Sequence, residues 1–286
     1  MHIPVLLKEV LENLDPKPNQ NFIDGTLGEG GHSLEILKLT SPNGKLLGID
    51  FDQRNLDEAK KKFIENGIKE NRINLAQGNF KNIKEYVAQN DFQDISGILL
   101  DLGLCSYFLD ESNRGFTFRK EESLDMRFDP NQRLTASEII NNFSEENIAN
   151  IIYQYGEDRF SRKIAKNICD YRRIKKIETT KELADIIKNN KSIARVFQAI
   201  RIYINTELDN LTQVIPDALD ILAPNGKLAI ISFHSLEDRI VKNLFKEYSL
   251  TNQFKLITKK PIIPTKEEGK ENHRSQSAKM RIIQKL

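Results

Sequence analysis

The sequence predicts an α/β fold in which a doubly wound, mostly parallel sheet is interrupted by an all-helical insertion. Apolar strand-like runs alternate with helical patterns as far as Asp101, which is typical of a parallel sheet with helices on both faces. From Thr135 to about Asn205 every periodic segment is helical. A strand, a helix and two closing strands then follow, and those last two strands can pair as an antiparallel hairpin.

The first part of the sheet is predicted from short apolar runs. Each run is bounded by glycine, proline or polar turn residues, and helical periodicity fills the spaces between runs. The predicted strands are 21–24, 45–50, 74–77 and 95–101, and the predicted helices are 5–14, 33–38 and 56–66.

The helical insertion divides the chain into two predicted domains. Thr135 and Thr179 are each followed three residues later by glutamate, the capping-box pattern that opens a helix. We predict one domain from segments 1–106 and 206–286, and an inserted helical domain at 107–205. The strands and helix after the insertion are predicted at 227–233, 236–248, 254–258 and 280–283.

The composition indicates a folded protein and limits the functional classes. Hydrophobic residues make up 39% of the 286 residues, which is enough for a real core, and the net charge is only +2. A nucleic-acid binder of this charge would need a local basic patch. Cys105 and Cys169 are too few for a disulfide framework and form no zinc-type pair, so we expect a cytoplasmic protein without a metal. The sequence predicts no membrane-spanning run and no signal peptide.

A glycine-rich loop from Asp24 to His32 joins the first predicted strand to the next helix. Glycine is needed where the backbone approaches a ligand closely, and ligands of open α/β sheets bind beyond the carboxyl ends of the strands. The dinucleotide pattern G-x-G-x-x-G fails because Ser33 stands at its third glycine, and no phosphate-binding G-K-[S/T] is present. The loop therefore favours an adenosyl cofactor, S-adenosylmethionine, which needs no phosphate contacts.

Two further residues are placed to hold such a cofactor. Asp50 ends the second predicted strand, about twenty residues after the loop, where an acid would bind a ribose. It could instead cap the turn before the next helix. Phe80 follows the third strand and could stack on the adenine or belong to the core.

Asp101 ends the fourth predicted strand, where a carboxylate points into the cleft. Methyl transfer from a sulfonium is an in-line displacement that depends largely on positioning. Asp101 could accept a hydrogen bond from an exocyclic amine and turn the nitrogen lone pair toward the methyl group, or it could cap the following turn. Cys105 suggests a second chemistry, in which a cysteine nucleophile adds to a cytosine ring. An uncharged buried cysteine, however, is usually inert.

Nine segments spread over nearly the whole chain match one family in order. They are 2–9, 24–33, 97–103, 114–118, 124–127, 155–160, 197–202, 231–239 and 277–281. On these segments the chain resembles the ribosomal RNA small subunit methyltransferase H family, bacterial enzymes that methylate N4 of a cytosine in the decoding region of 16S rRNA. The resemblance implies a Rossmann-like methyltransferase sheet, S-adenosylmethionine as cofactor and the small ribosomal subunit as partner. The cofactor contacts it implies are Gly30, Gly31, His32, Asp50, Phe80 and Asp101.

The chain departs from the family pattern in two places. The family reads Val-Ser-Ser-Pro-Gln-Leu-Asp where this chain reads Leu-Cys-Ser-Tyr-Phe-Leu-Asp at 104–110, so Phe108 replaces a glutamine that usually contacts the cofactor. Phenylalanine cannot form that side-chain hydrogen bond, and we do not expect the contact here. The segment 191–196 also differs and is shortened, which leaves the shape of the substrate entrance open.

Two local basic clusters could bind RNA phosphates. A base in folded RNA must leave its stack before its amine reaches the methyl group. His234 and Ser235 could line the pocket that receives the base, with Arg127 on the insertion's side. Alternatively, His234 is a satisfied half-buried side chain, Arg127 pairs with Asp125, and the basic clusters are solvated faces. The insertion cluster comprises Arg159, Arg162, Lys163, Lys166, Arg172, Arg173, Lys175 and Lys176, and the C-terminal cluster comprises Lys259, Lys260, Lys266, His273, Arg274, Lys279 and Arg281.

The residues leave three other functions open beside rRNA cytosine-N4 methylation. The same cofactor could serve another acceptor, such as a different RNA base, DNA or a protein amine. The altered stretch around Phe108 would also suit a non-catalytic assembly factor that binds RNA. A nicotinamide dehydrogenase is disfavoured by Ser33 and by the missing hydride-transfer residues.

Overall fold

A seven-stranded sheet organises the part of the chain that the computed structural model describes, residues 4–103 and 112–286. The strand order is β3-β2-β1-β4-β5-β7-β6. The first five strands pair in parallel, and β7 runs antiparallel to both β5 and β6. This confirms the predicted mostly parallel sheet with an antiparallel closing pair. The strands are β1 (Asn21–Asp24), β2 (Leu46–Asp50), β3 (Ile73–Gln77), β4 (Ile95–Asp101), β5 (Leu222–Ser232), β6 (Phe254–Leu256) and β7 (Lys279–Lys285).

The helices fall into two compact units of the chain. One unit comprises Met1–Gly103 and Leu208–Leu286 and contains the sheet, and the other comprises Leu104–Glu207. In chain order the helices are α1 (Leu7–Leu14), α2 (Gly31–Leu39), α3 (Gln53–Glu65), α4 (Ile83–Gln89), α5 (Ala136–Asn142), α6 (Glu145–Gly156), α7 (Ser161–Arg172), α8 (Thr180–Ile187), α9 (Asn190–Asn205), α10 (Glu207–Ile221), α11 (Ser235–Ser249) and α12 (Lys266–Glu271).

The sheet is covered on both faces by apolar side chains of helices. Successive strand residues point to opposite faces, so Leu99 joins the layer under α1, α2 and α3, while Leu100 joins the layer under α4, α10 and α11. In β1, Phe22 joins the layer that contains Leu99, and Ile23 joins the layer that contains Leu100. A sheet buried on both faces explains the nearly continuous apolar runs in the sequence.

The helical unit has its own hydrophobic core, built from α5 to α9. Thr179 and Glu182 form the predicted capping box at the start of α8. At the start of α5 the Thr135 hydroxyl accepts the Glu138 N–H at 3.2 Å. Each cap satisfies a helix N–H group that would otherwise lack a partner. No helix in the described ranges is long and apolar enough to cross a membrane.

Candidate cofactor site

The glycine-rich loop after β1 is held against the ends of two neighbouring strands. The Gly25 N–H donates to Leu99 O of β4, and the Leu27 N–H donates to Ile49 O of β2, both at 2.9 Å. The Asp101 N–H donates to Thr26 Oγ1 at 2.6 Å. The loop is therefore fixed at the carboxyl edge of the sheet, where open α/β folds bind ligands.

Gly30 and Gly31 are both required by packing within the protein. Gly30 takes φ +70° as the residue before α2, and a Cβ there would lie 2.7 Å from the Phe63 ring. A Cβ on Gly31 would lie 2.5 Å from Pro4. A side chain is thus excluded at both positions before any ligand is considered. The glycine pattern in the sequence does not separate this packing role from a ligand contact.

Asp24 is a buried carboxylate at the base of the loop that the sequence analysis did not assign to the site. Its Oδ2 accepts a hydrogen bond from Ser33 Oγ at 2.6 Å, and its Oδ1 accepts one from the Thr26 N–H at 3.1 Å. Burial raises the pKa of Asp24 to about 6, although the bond from Ser33 acts in the opposite direction. The sequence contained one signal for this role of Asp24, which is Ser33. A hydroxyl side chain at the position where a dinucleotide site has glycine implies a polar partner nearby.

Asp50 connects the end of β2 to the glycine loop. Its Oδ2 accepts the Gly28 N–H at 2.8 Å, and its Oδ1 accepts the Asp52 N–H and the Asn55 Nδ2–H, both at 2.9 Å. Burial raises its pKa, and these three bonds oppose that effect. The turn-capping alternative is therefore present in the structure. A carboxylate has about four acceptor positions, so these bonds still leave room for a ribose hydroxyl.

Asp101 has a buried carboxylate oxygen that accepts no hydrogen bond from the part of the chain that the structure describes. Among the described residues, Oδ1 has no hydrogen-bond partner. Burial raises the pKa of Asp101 to about 6, the neighbouring His32 acts to lower it, and the charge of Asp24 raises it further. A buried acceptor without a donor costs free energy, which a ligand that donates a hydrogen bond would recover.

His32 lies near this carboxylate, and Phe80 borders the loop. His32 is buried, and its Nε2 lies 2.8 Å from Val5 O, which fixes the ring. Phe80 begins a short 3₁₀ helix and packs, partly buried, in the layer that contains Leu100. Its Cβ would be 3.3 Å from a Cβ on Gly25, so Phe80 borders the loop. The core alternative for Phe80 therefore holds, and a partly buried ring beside the loop is also compatible with an adenine contact.

Arg127 lies in the helical unit, and most of its N–H donors are bonded there. Its Nε and Nη2 donate to the two carboxylate oxygens of Asp125 at 2.6 and 2.9 Å. Its Nη1 donates to Pro130 O at 2.8 Å and also to Gln132 O. The predicted alternative, pairing with Asp125, is the arrangement found. Four of its five N–H donors are used in holding this turn.

His234 and Ser235 stand at the start of α11, where the sequence placed them beside the acceptor. His234 is the N-cap: its Nδ1 accepts the Glu237 N–H at 3.4 Å, and Glu237 Oε2 accepts the Phe233 N–H at 2.8 Å. His234 Nε2 is 3.2 Å from Glu237 Oε1 but outside hydrogen-bond geometry, and in the described ranges it has no hydrogen-bond partner. Ser235 is exposed, and both residues line an open cleft of about 620 Å³.

The insertion cluster separates into paired and unpaired cations. Arg172 donates to the carbonyls of Ile140 and Phe143, Arg173 pairs with Asp170, and Lys175 pairs with Glu182. These cations support the helical unit itself. In contrast, the exposed face of α7 carries cations without an ion pair among the described residues, and the Arg159 guanidinium lies 4.7 Å from the centroid of the exposed Phe160 ring. Those unpaired cations are Arg162, Lys163 and Lys166.

Of the two cysteines and Phe108, only Cys169 lies within the described residues. Cys105 and Phe108 lie outside the described residues, so the hypotheses on both stay open. Cys169 is buried in the helical core, and burial raises the pKa of its thiol, which fits an inert apolar role.

The fold and this site together define a class of protein. A doubly wound sheet closed by an antiparallel strand, with a glycine loop after β1 and carboxylates ending β2 and β4, is the architecture of a Rossmann-like methyltransferase. Within that class the chain belongs to the MraW methylase family, whose model matches residues 1–286. The family expected from the sequence is thereby confirmed.

Two relatives match along their whole length, and both are named ribosomal RNA small subunit methyltransferase H. The one from Sulfurihydrogenibium sp. is 45% identical over 295 residues, and the alignment covers 100% of this chain and 99% of the relative. The one from Heliobacterium mobile is 43% identical over 314 residues, with the same two shares. The chain is therefore similar throughout to small-subunit rRNA methyltransferases.

Solved structures share the fold at low sequence identity. A candidate rRNA methylase from Clostridium thermocellum gives a TM-score of 0.51 at 10% identity, with 100% of both chains covered. A candidate methyltransferase from Streptococcus mutans, in complex with SAH, gives 0.50 at 14% identity, again with 100% of both chains covered. At these identities the likeness concerns the fold alone. For a methylase of this fold, S-adenosylmethionine is the expected cofactor, as the sequence predicted.

Proposed function

We propose that this protein transfers the methyl group of S-adenosylmethionine to the exocyclic N4 amine of a cytosine in the decoding region of 16S rRNA. Membership of the family and the names of the relatives support an rRNA of the small subunit as substrate. The observation that carries the chemistry is Asp101 Oδ1, a buried acceptor without a donor among the described residues, at the end of β4 beside the glycine loop.

The residues of the loop and of β2 fit the methyl donor. Bound S-adenosylmethionine would supply an electrophilic methyl group on its sulfonium. The loop at Gly30, Gly31 and His32 would hold the amino-acid part, and the partly exposed Asp50 would hold the ribose through its remaining acceptor position. Phe80 would border the adenine. Because each of these residues is fixed by bonds or packing inside the protein, the donor meets a preformed site.

Asp101 would act on the acceptor amine. The exocyclic nitrogen of cytosine is conjugated with the ring, so its lone pair is poorly available. A hydrogen bond from one amine hydrogen to Asp101 Oδ1 would turn the lone pair toward the methyl group. When the methyl carbon passes from sulfur to nitrogen, the donor would leave as S-adenosylhomocysteine, and the positively charged nitrogen would release one proton to water to give the neutral methylated amine. With a pKa of about 6, Asp101 is mostly ionised at neutral pH and can accept that bond.

A substrate in 16S rRNA also implies where the enzyme works. An rRNA methyltransferase acts on ribosomal subunits, so we expect this protein in the cytoplasm. Such a substrate also gives the unpaired cations on α7 a function, because phosphate contacts supply most of the sequence-independent affinity for RNA.

The direct test is methyl transfer to a defined substrate. Small subunits from a strain that lacks the modification are incubated with labelled S-adenosylmethionine, and the label is mapped by nucleoside mass analysis. We expect N4-methylcytidine at one position, and about 100-fold slower transfer by D101N at saturating cofactor. Label on another base, on DNA or on protein would overturn the proposal. Absence of cofactor binding by calorimetry would instead favour a non-catalytic RNA-binding protein.

A further inference from the structure

An open cleft of about 620 Å³ lies in the sheet unit, at the carboxyl end of β5. One wall is the start of α11, with His234 and Ser235, and the other is the segment from Ile263 to Lys279, which contains α12. This segment is anchored to the body of the unit. Ile262 bridges to Met280 of β7, and Glu268 Oε1 accepts the Leu6 N–H at 2.8 Å. The cleft is thus a built feature of the fold.

The lining of the cleft is positively charged. Lys266, Lys270 and Lys279 line it, and no aspartate or glutamate among the described residues does. Within the same ranges Lys266 and Lys270 form no ion pair. Lys279 Nζ is 3.5 Å from Asp238 Oδ2, but the buried Arg281 already holds that carboxylate, with Nε–Oδ1 at 2.7 Å and Nη2–Oδ2 at 3.3 Å. One carboxylate shared by two cations leaves a net positive charge facing the cleft.

The cleft also has an apolar side that connects it to the proposed acceptor site. Phe233, Pro264 and Ala278 contribute to this side. A Cβ built on Gly103 would lie 2.9 Å from the Phe233 ring, so the ring packs directly against Gly103. The Gly103 N–H in turn acts to lower the pKa of the Asp101 carboxylate. Phe233, which lines the cleft, therefore packs against the residue two positions after Asp101.

We propose that this cleft binds the ribose-phosphate backbone of the RNA strand that adjoins the methylated cytosine. The inference rests on the proposed function and names the part of the substrate that the sheet unit holds. A base that leaves its stack draws a single strand into the site, and proteins bind single strands with cations for the phosphates and flat apolar groups for the bases. Three lysines together with the apolar Phe233, Pro264 and Ala278 have that composition. An open cleft suits a continuing strand better than a free nucleotide.

The test compares two lysine-to-glutamine triple variants of the full chain. One is K266Q/K270Q/K279Q, which removes the cleft cations. The matched control is K242Q/K246Q/K255Q, which removes the same charge from exposed lysines on the same unit. We measure the affinity for small subunits and for a single-stranded decoding-region oligoribonucleotide over a range of salt, with S-adenosylmethionine binding by calorimetry as the check on folding.

We expect the cleft variant to bind RNA at least about tenfold more weakly than the control at ~0.15 M salt, while both bind the cofactor like the wild type. The slope of log K against log salt should fall by about 0.7 for each phosphate that the variant no longer binds. Equal affinities and slopes for the two variants would overturn the inference. It would also be overturned if cytidine monophosphate competed as well as the oligoribonucleotide, since the cleft would then be a mononucleotide site.

The site and the proposed function can fail separately, because RNA binding is measured apart from methyl transfer. A weaker-binding cleft variant supports the cleft as an RNA site even if the wild type places no methyl on cytosine. Equal binding by the cleft and control variants removes the site even if the wild type methylates N4.

Discussion

Two buried carboxylates give the cofactor site its electrostatic character. Asp24 and Asp101 each have a pKa of about 6, and burial is the main cause in both. They differ in their partners. Asp24 is held by Ser33 and Thr26, whereas Asp101 Oδ1 has no donor among the described residues. This difference in partners supports a structural role for Asp24 and the proposed chemical role for Asp101.

The pH dependence of methyl transfer should report Asp101. Its raised pKa means that the carboxylate gains a proton as the pH falls through about 6, and a protonated Asp101 loses much of its ability to accept a bond from the amine. The rate at saturating cofactor should therefore rise with pH up to about 6 and then level off. In D101N this inflection should be absent, since the amide does not titrate there. An unchanged inflection in D101N would assign it to another group.

Replacing Gly30 in the loop by alanine tests two costs together, which are the strain of a positive φ and the overlap of the added methyl group with its neighbours. In G30A the new methyl group would meet Phe63 at 2.7 Å, and the residue would keep a φ of +70°. G67A is the matched control, because Gly67 has a φ of +79° with nothing within 4 Å of the added Cβ. We expect G67A to lower the free energy of unfolding by about 1 kcal/mol and G30A by a further ~1–3 kcal/mol. Equal losses in denaturant titrations would contradict the packing argument.

The residues of the candidate site were unevenly predictable, for a physical reason. Asp50, Phe80 and Asp101 could be placed at one edge because each follows an apolar strand, and the carboxyl ends of parallel strands share that edge. Asp24 was missed because a buried carboxylate looks the same in sequence as an exposed one. Arg127 was placed in the substrate site, yet it is occupied by Asp125 and two carbonyls, which local sequence does not distinguish from a free cation.

The strands were predicted more accurately than the helices between them. A buried strand is a short apolar run with clear ends, and β1 and β4 match their predicted ranges. Helix α10 was not predicted, because Pro216 lies in its interior and proline usually marks a helix end. Its residues Leu211 and Val214 nevertheless pack in the layer on one face of the sheet. Tertiary packing thus overrides a local signal that disfavours the helix.

His234, at the start of α11, could have a structural role as a helix cap or a chemical role on the substrate, and two variants distinguish these roles. Its imidazole accepts the Glu237 N–H, as asparagine would at an N-cap. H234N should therefore keep the thermal stability and most of the methyl-transfer rate, while H234A should lower the free energy of unfolding by about 1 kcal/mol. The measurements are calorimetric melting and single-turnover transfer. A stable H234N that has lost activity would show that the imidazole itself acts on the substrate.

At the scale of the whole chain, the sequence carries more information on domain organisation than on substrate. The periodicity of the sequence changes from alternating to wholly helical and back, and this change predicts an inserted helical domain. The acceptor is not visible in this way. A carboxylate beside a methyl donor can serve amines of many molecules, and the proposal of cytosine N4 depends on the family resemblance.

The balance of paired and unpaired charges predicts how this nearly neutral protein binds RNA. The net charge of +2 gives little long-range attraction, so affinity must come from local cations. On the helical unit Arg162 and Lys163 have no ion pair among the described residues, whereas Arg173 and Lys175 are paired with Asp170 and Glu182.

Two double variants with the same change in charge distinguish these pairs of cations. R162Q/K163Q should weaken binding to small subunits by about tenfold and reduce the slope of log K against log salt by about 1.4–1.8, since each bound phosphate contributes roughly 0.7–0.9. R173Q/K175Q should change the affinity far less, because those cations already hold carboxylates. Binding titrations over a range of salt measure both quantities. If both variants were weakened equally, binding would follow net charge, and the exposed face of α7 would have no specific contact with the RNA.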